Sequence, residues 1–318
     1  MRKNVLIVAG GGGHTGYAYA LAQRLKCKAS LRFLVPSDDA LSYRRLSQFG
    51  EVNFLLKARG AKTPNHEFIP RLVKAFLESL NRVSGGYDVI VSTGSNFCLP
   101  PSLVGRLRKV SLVNIESSVR FTKASQTARI LQPLAAVTAL QWKEQEKLLK
   151  KGVYIGPLLP QPEISPWNGG YVLVTGGTMG HKKLFDAICE SNLENVVLQT
   201  GQIDPVHYRR KHPSWKVIRF STRFFELVAG AQIVVTHFGY TALEALVYRK
   251  PTVIVLNPEW KRTVGRTDAE FYAAKVNASL VWDVSLSNLI AAIDEAKKKE
   301  QPVFPDGAEN LSKVILSL

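Results

Sequence analysis

Short apolar runs, bounded by glycines and polar turns, recur along the chain and alternate with segments of helical period. Val5–Ala9 reads as a strand, followed by Gly10–Gly13 and a helix from about His14 to Lys26. Leu31–Val35, Val52–Leu56, Tyr87–Ser92 and Ser111–Ile115 read as further strands. Strand, turn and helix in repetition is the pattern of a parallel sheet covered on both faces. Gly156–Gly170 breaks it, with four prolines, three glycines and no period. The pattern then restarts: Tyr171–Thr175 is a strand, Gly176–Gly177 a turn, and a helix follows to about Ser191. Val196–Gln199, Lys216–Ile218, Ile233–Thr236 and Thr252–Leu256 are the next strands.

Both halves open with a strand, a glycine turn and a helix, and each carries a Gly-His pair, Gly13-His14 and Gly180-His181. The expected fold is α/β, with two doubly wound, Rossmann-like domains facing across a cleft. The expected boundaries are residues 1–155, a linker over 156–170, and residues 171–318.

Composition narrows the class. At 318 residues and 46% hydrophobic, each half can bury a core. No stretch approaches the roughly 18 unbroken apolar residues of a spanning helix. The N-terminal apolar run is short and leads into glycines, so it reads as a strand rather than a secretory signal, and a cytosolic protein is expected. Cys27, Cys98 and Cys189 have no ligand spacing and suit a reducing compartment as buried small hydrophobes. The net charge of +17 favours anionic partners. No nucleic-acid-binding module accompanies it, so lipid and diphosphate are expected rather than nucleic acid.

The loop Gly10–Gly16 follows the first strand and opens the first helix. Its glycines let a ligand approach free N–H groups that favour an anion. Gly11, Gly13 and Gly16 can be set to a dinucleotide spacing, with Asp38 as the distant acid, but four glycines followed at once by His14 are unusual for that purpose. An imidazole at a helix N-terminus tends to stay neutral, as a general base requires. The plain alternative is a His that only caps the helix.

In the second half, Thr175–Gly180 repeats the strand-to-helix geometry and adds two hydroxyls. Further on, a strand ends in Thr236–Tyr240 and a helix begins near Thr241. Glu244 falls in its first turn, where a carboxylate can accept two hydrogen bonds from ribose hydroxyls. A capping Thr241 and a solvated Glu244 are the structural alternative.

Thr236–Pro251 resembles the nucleotide-sugar motif of GT-B glycosyltransferases, H-x-G-x-G-T-x-x-E-A-L followed by G-K-P. The whole chain looks like a fusion of the two-subunit UDP-GlcNAc transferase of the dolichol pathway, acceptor and membrane half first, donor half second. Its marks in the first half are the Gly-Gly-His-Thr loop, Ser92-Thr93-Gly94, and Val113–Arg120, which is similar to V-E-S-x-A-R. MurG-like enzymes of glycosyltransferase family 28 share the plan. There are departures. His237 lies one residue closer to Thr241 than the pattern has it, and Tyr240 replaces a glycine. Thr267 and Asp268 stand where a Gln should grip the donor sugar.

The resemblance implies an inverting transferase that moves GlcNAc from UDP-GlcNAc to a polyprenyl (dolichol-type) diphosphate-linked sugar, GlcNAc by expectation. Its fused order points to archaeal N-glycan assembly. His14 is the expected base, with Glu116 orienting it or the acceptor, or remaining a plain surface carboxylate. Gly11, Gly12, Gly13, Thr15, Thr93 and Gly94 would form the acceptor diphosphate loop. Gly176, Gly177, Thr178, His237, Gly239, Thr241, Glu244, Thr267 and Asp268 would hold the donor. No metal or cofactor is expected, and the sequence has no D-x-D pair. The oligomeric state is left open.

Pro64–Val83 places Phe68, Ile69, Leu72, Val73, Phe76, Leu77 and Leu80 on one helix face. Arg71, Lys74 and Arg82 lie off it, and Lys57, Arg59 and Lys62 lie just upstream. Such a helix either faces a core or lies in an anionic lipid interface, here as a peripheral contact on the cytosolic face. Rival readings are a MurG-like or glycolipid transferase, a UDP-GlcNAc 2-epimerase, and a non-enzymatic membrane or nucleic-acid scaffold.

Overall fold

The computed structural model describes residues 2–60, 63–258 and 265–318. It divides into two units, residues 1–160 with 304–318, and residues 161–303.

The first unit is built on a seven-stranded, all-parallel sheet. Its strands are β1 (Lys3–Val8), β2 (Ala29–Pro36), β3 (Glu51–Leu55), β4 (Val89–Ser92), β5 (Ser111–Ile115), β6 (Val137–Leu140) and β7 (Gly152–Tyr154), in the order β3-β2-β1-β4-β5-β6-β7. Val5, Leu6, Ile7 and Val8 of β1 are all buried, as a central strand covered on both faces demands. At the edge, β3 is exposed or half-buried except at Leu55.

The second unit has six parallel strands: β8 (Tyr171–Thr175), β9 (Val196–Gln199), β10 (Lys216–Ile218), β11 (Ala231–His237), β12 (Thr252–Val255) and β13 (Ser279–Val281). Their order is β10-β9-β8-β11-β12-β13. In both sheets the strand order reverses beside the first strand, between β1 and β4 and between β8 and β11. Ligands of open α/β sheets collect at such a switch point, beyond the carboxyl ends of the strands. The short strands β6, β7 and β13 escaped the sequence reading.

Two expected boundaries are corrected. The last helix, Gly307–Ser317, belongs to the first unit and not to a domain running to residue 318. It buries Ala308, Leu311 and Ile315, packs on the helix Gly13–Leu25, and is pinned by a 2.7 Å ion pair between Asp306 and the buried Arg24. Residues 156–170 are likewise not a free linker. The units divide after Pro160, and Trp167 and Gly169 donate backbone hydrogen bonds to Ala229 and Gly230. Cys27 is exposed, and only Cys98 and Cys189 are buried.

Candidate active site

At the first switch point the turn after β1 meets the turn after β4. Gly11 and Gly12 adopt φ of 87° and 56°, which an L side chain resists, and Gly12 caps the helix Gly13–Leu25. His14, in the first turn of that helix, brings Nδ1 to 2.6 Å from the carbonyl oxygen of Thr93. A carbonyl only accepts, so Nδ1 carries the proton and Nε2 keeps its lone pair. Burial, helped by the fields of Lys57 and Arg120, holds the His14 pKa down to about 4, against the opposing pull of the Thr93 bond. A neutral imidazole with one fixed tautomer is the form a general base needs.

Gly94 completes the β4 turn with φ 95°, directly beside β5. Two expected loop contacts turn inward. The Thr93 hydroxyl donates to the Val8 carbonyl (2.8 Å), so its backbone oxygen, not its side chain, reaches the site. The Thr15 hydroxyl is buried against that of Ser42 (2.5 Å).

Glu116 does not orient His14. It is fully buried, and its carboxylate accepts N–H bonds from Ser117 (2.7 Å) and Ser125 (2.8 Å). Burial raises its pKa against those two bonds. It therefore ties the two ends of the loop after β5 together, and the tautomer of His14 is set by Thr93 instead.

The sequence reading missed the supports of this loop. Tyr17 stacks edge-on to His14, with ring centroids 5.9 Å apart, and its hydroxyl bonds the Ser118 hydroxyl (2.8 Å) and accepts from the Ser118 N–H (3.0 Å). Its position three residues after His14, on the same helix face, was the available signal. Gln141, Trp142 and Gln145 also bond the loop, from a segment with no recognisable motif.

The second switch point joins the turns after β8 and β11. Gly177 has φ 66°, and a Cβ there would lie 2.5 Å from Cε1 of His237. The His237 ring also lies against Gly239, whose Cβ would sit 2.8 Å from Nε2. His237 thus fills the space between the two glycine turns. Burial, with His181 nearby, lowers its pKa to about 4. His181 is not a counterpart of His14: its Nδ1 accepts the Leu184 N–H (3.3 Å) and its Nε2 bonds the Leu256 carbonyl (3.1 Å). It is a buried cap that fastens the next helix to the end of β12.

Gly176 is buried and Thr178 half-buried in the turn after β8. Thr241 and Glu244 are buried in the first turn of the helix Thr241–Val247. Tyr240 fills the expected glycine position as a buried residue, and Tyr272 donates to the Gly239 carbonyl (3.0 Å). Thr267 is exposed, whereas Asp268 is buried and accepts a long N–H bond from Gly265 (3.4 Å). Part of its capacity thus serves its own helix, Arg266–Lys275.

The helix Asn65–Arg82 splits its apolar arc in two. Leu72 and Phe76 are half-buried, and Phe76 packs on the core. Phe68 is half-buried under the Arg59 guanidinium. Ile69 (60% exposed), Val73 (55%) and Leu77 (56%) face solvent, and Lys74 is exposed beside them. Arg71 corrects the expectation of a free basic flank, since it donates to the Lys57 carbonyl (3.1 Å). Lys62 lies outside the described residues. Among the described residues, no helix is long and apolar enough to cross a membrane.

The family described as Oligosaccharide biosynthesis protein Alg14 like matches residues 5–158. The Glycosyltransferase family 28 C-terminal domain matches residues 171–315. The UDP-N-acetylglucosamine transferase subunit alg14 of Schizosaccharomyces pombe is 29% identical over 174 residues, covering 49% of this chain and 83% of that one. The UDP-N-acetylglucosamine--N-acetylmuramyl-(pentapeptide) pyrophosphoryl-undecaprenol N-acetylglucosamine transferase of Trichodesmium erythraeum is 25% identical over 310 residues, 88% of this chain and 79% of its own. Among solved structures, MurG of Acinetobacter baumannii superposes with a TM-score of 0.67 at 17% identity, covering 100% of both chains, a likeness of fold.

Proposed function

Because the chain joins an Alg14-like domain to a glycosyltransferase family 28 C-terminal domain, and so belongs to the GT-B glycosyltransferases, we propose that it moves GlcNAc from UDP-GlcNAc to a polyprenyl diphosphate-linked sugar. The acceptor in this reading is GlcNAc on a dolichol-type carrier, and the product an N-glycan precursor. The observation that carries it is His14, neutral and fixed in one tautomer at the switch point of the Alg14-like domain. Its Nε2 takes the proton of the acceptor hydroxyl, whose oxygen attacks the anomeric carbon as the bond to UDP breaks. One such displacement inverts the configuration.

Charge developing on UDP meets backbone N–H groups and hydroxyls at Gly176–Thr178 and Gly239–Thr241, and Glu244 holds the ribose. His237 fixes the spacing of those two loops. In this reading, Thr267 and Asp268 contact the donor sugar, and no metal is required.

The names of both curated relatives support UDP-GlcNAc as donor. The test combines purified protein, UDP-GlcNAc, a synthetic GlcNAc-diphosphate-lipid and EDTA, with mass spectrometry of the lipid. A gain of one N-acetylhexosamine is expected. UDP binding without product would point to another sugar or acceptor, and the reach of the MurG-type relative across both domains makes a muramyl-pentapeptide lipid the second acceptor to try. No UDP binding would overturn the reading.

The exposed stripe of Ile69, Val73 and Leu77 supports peripheral seating on an anionic, cytosolic membrane face. Replacing all three by Ser is expected to weaken co-sedimentation with acidic vesicles by roughly tenfold or more. Turnover of a water-soluble acceptor should be unchanged. Undiminished vesicle binding would remove this helix from the membrane contact.

A further inference from the structure

We propose that Gln199 is a positioning residue for the donor, whose amide couples the turn after β8 to the turn after β10. The coupling holds the two ends of the nucleotide site in register. The proposal rests on the transferase reading above and deepens its donor site.

Gln199 ends β9, the strand between β8 and β10, and follows three buried apolar residues, Val196, Val197 and Leu198. A primary amide buried in such a place needs partners at both its ends. Its Oε1 accepts the N–H of Ser221 (3.3 Å), and its Nε2 donates to the hydroxyl of Thr175 (3.3 Å), at the end of β8. A backbone N–H only donates, so the amide has a single orientation here. The Thr175 hydroxyl also accepts the N–H of Gly177 (3.1 Å), where the chain takes φ 66°. One amide and one hydroxyl thus join the backbone at Ser221 to the backbone of the glycine turn.

The turn after β9 is fitted to the same place. Gln202 donates to the Thr178 carbonyl (3.0 Å), and Gly201, at φ 65°, approaches so closely that a Cβ would lie 2.5 Å from the Gly177 oxygen. On its other side, Thr200 and Gly201 donate to the carbonyls of Ile218 and Arg219 (2.9 Å each). Gln199 carries the connection on to Ser221, from which the chain enters the helix Phe224–Gly230. That helix packs on Thr241–Val247, whose Glu244 takes the ribose in the reading above. The turn after β10 is therefore tied to the nucleoside end of the donor, and the turn after β8 to its diphosphate. A ligand that spans both ends binds more tightly when their spacing is fixed beforehand, because less ordering is left to binding. A fragment that occupies one end gains nothing from the link.

The test uses the full chain, with UDP as a calorimetric probe and uridine in NMR titration. Gln199→Met keeps the length of the side chain and removes the amide. It is expected to raise the Kd for UDP and the donor KM by about tenfold, with kcat at saturating donor and the acceptor KM unchanged. Uridine should bind wild type and variant alike. Thr175→Val breaks the same link at its other end and should match Gln199→Met, and the double variant should lose no more than either single one. Thr175→Ser keeps the hydroxyl and should recover most of that loss. Should Gln199→Met fail to fold, Thr175→Val decides alone. Unchanged UDP affinity would overturn the role, as would an equal loss of uridine binding or a double variant whose losses add. If the wild type binds UDP but transfers no sugar, the transferase reading fails, and the UDP measurements still decide the role of Gln199. No UDP binding by the wild type would overturn both.

Discussion

Replacing His14 by Ala is expected to lower turnover by about three orders of magnitude while leaving UDP binding intact, as the loss of a positioned general base does. The two effects separate because His14 belongs to the first unit, and the glycine turns assigned to UDP belong to the second. The pH dependence follows from the tautomer and from the pKa of about 4. The base works only when neutral, so kcat/KM of the free enzyme should be flat from neutral pH down to about 5. It should then fall as the pH drops through 4 and His14 takes up a proton. An acid limb centred near 6.5 would mean that the imidazole is solvated in the working enzyme. Near-normal turnover of His14→Ala would assign the base elsewhere.

Glu244→Ala should act on the other substrate. A buried carboxylate that accepts from two ribose hydroxyls makes charge-assisted hydrogen bonds, each worth about 1.5–3 kcal/mol. Their joint loss is expected to raise the Kd for UDP by roughly a hundredfold or more, measured by calorimetry. Glu244→Gln keeps one acceptor oxygen and should lose less. The acceptor Kd should not move, and normal UDP affinity in Glu244→Ala would remove the ribose role.

Residues of the proposed site differ in how readily the sequence reveals them. His14, Gly177 and Glu244 stand next to the strand that positions them, within a strand-glycine-helix pattern whose geometry is local. Thr93 was read only as a member of the acceptor loop, and the bond from His14 to its carbonyl went unseen, since a backbone atom leaves no trace in residue identity. The burial of Glu116 was not legible, because its motif does not reveal that the Ser125 N–H is folded back onto its carboxylate. Lys57 and Arg71 looked like one basic flank of a membrane helix. The fold turns one toward the glycine loop and binds the other to its backbone.

The sequence by itself determined two parallel α/β domains, the turn after each first strand, and an amphipathic helix within 64–83. Apolar period, glycine placement and turn chemistry act over a few residues, so they can be read without partners. Only the tertiary structure decided which distant groups meet. The order β3-β2-β1-β4 brings Thr93 to His14 across 79 positions of chain, and the last helix returns to the first unit because its apolar face fits the helix Gly13–Leu25. The same holds for the apolar arc of the helix Asn65–Arg82: its width is set by sequence, but how much of it remains exposed depends on the surface it packs against.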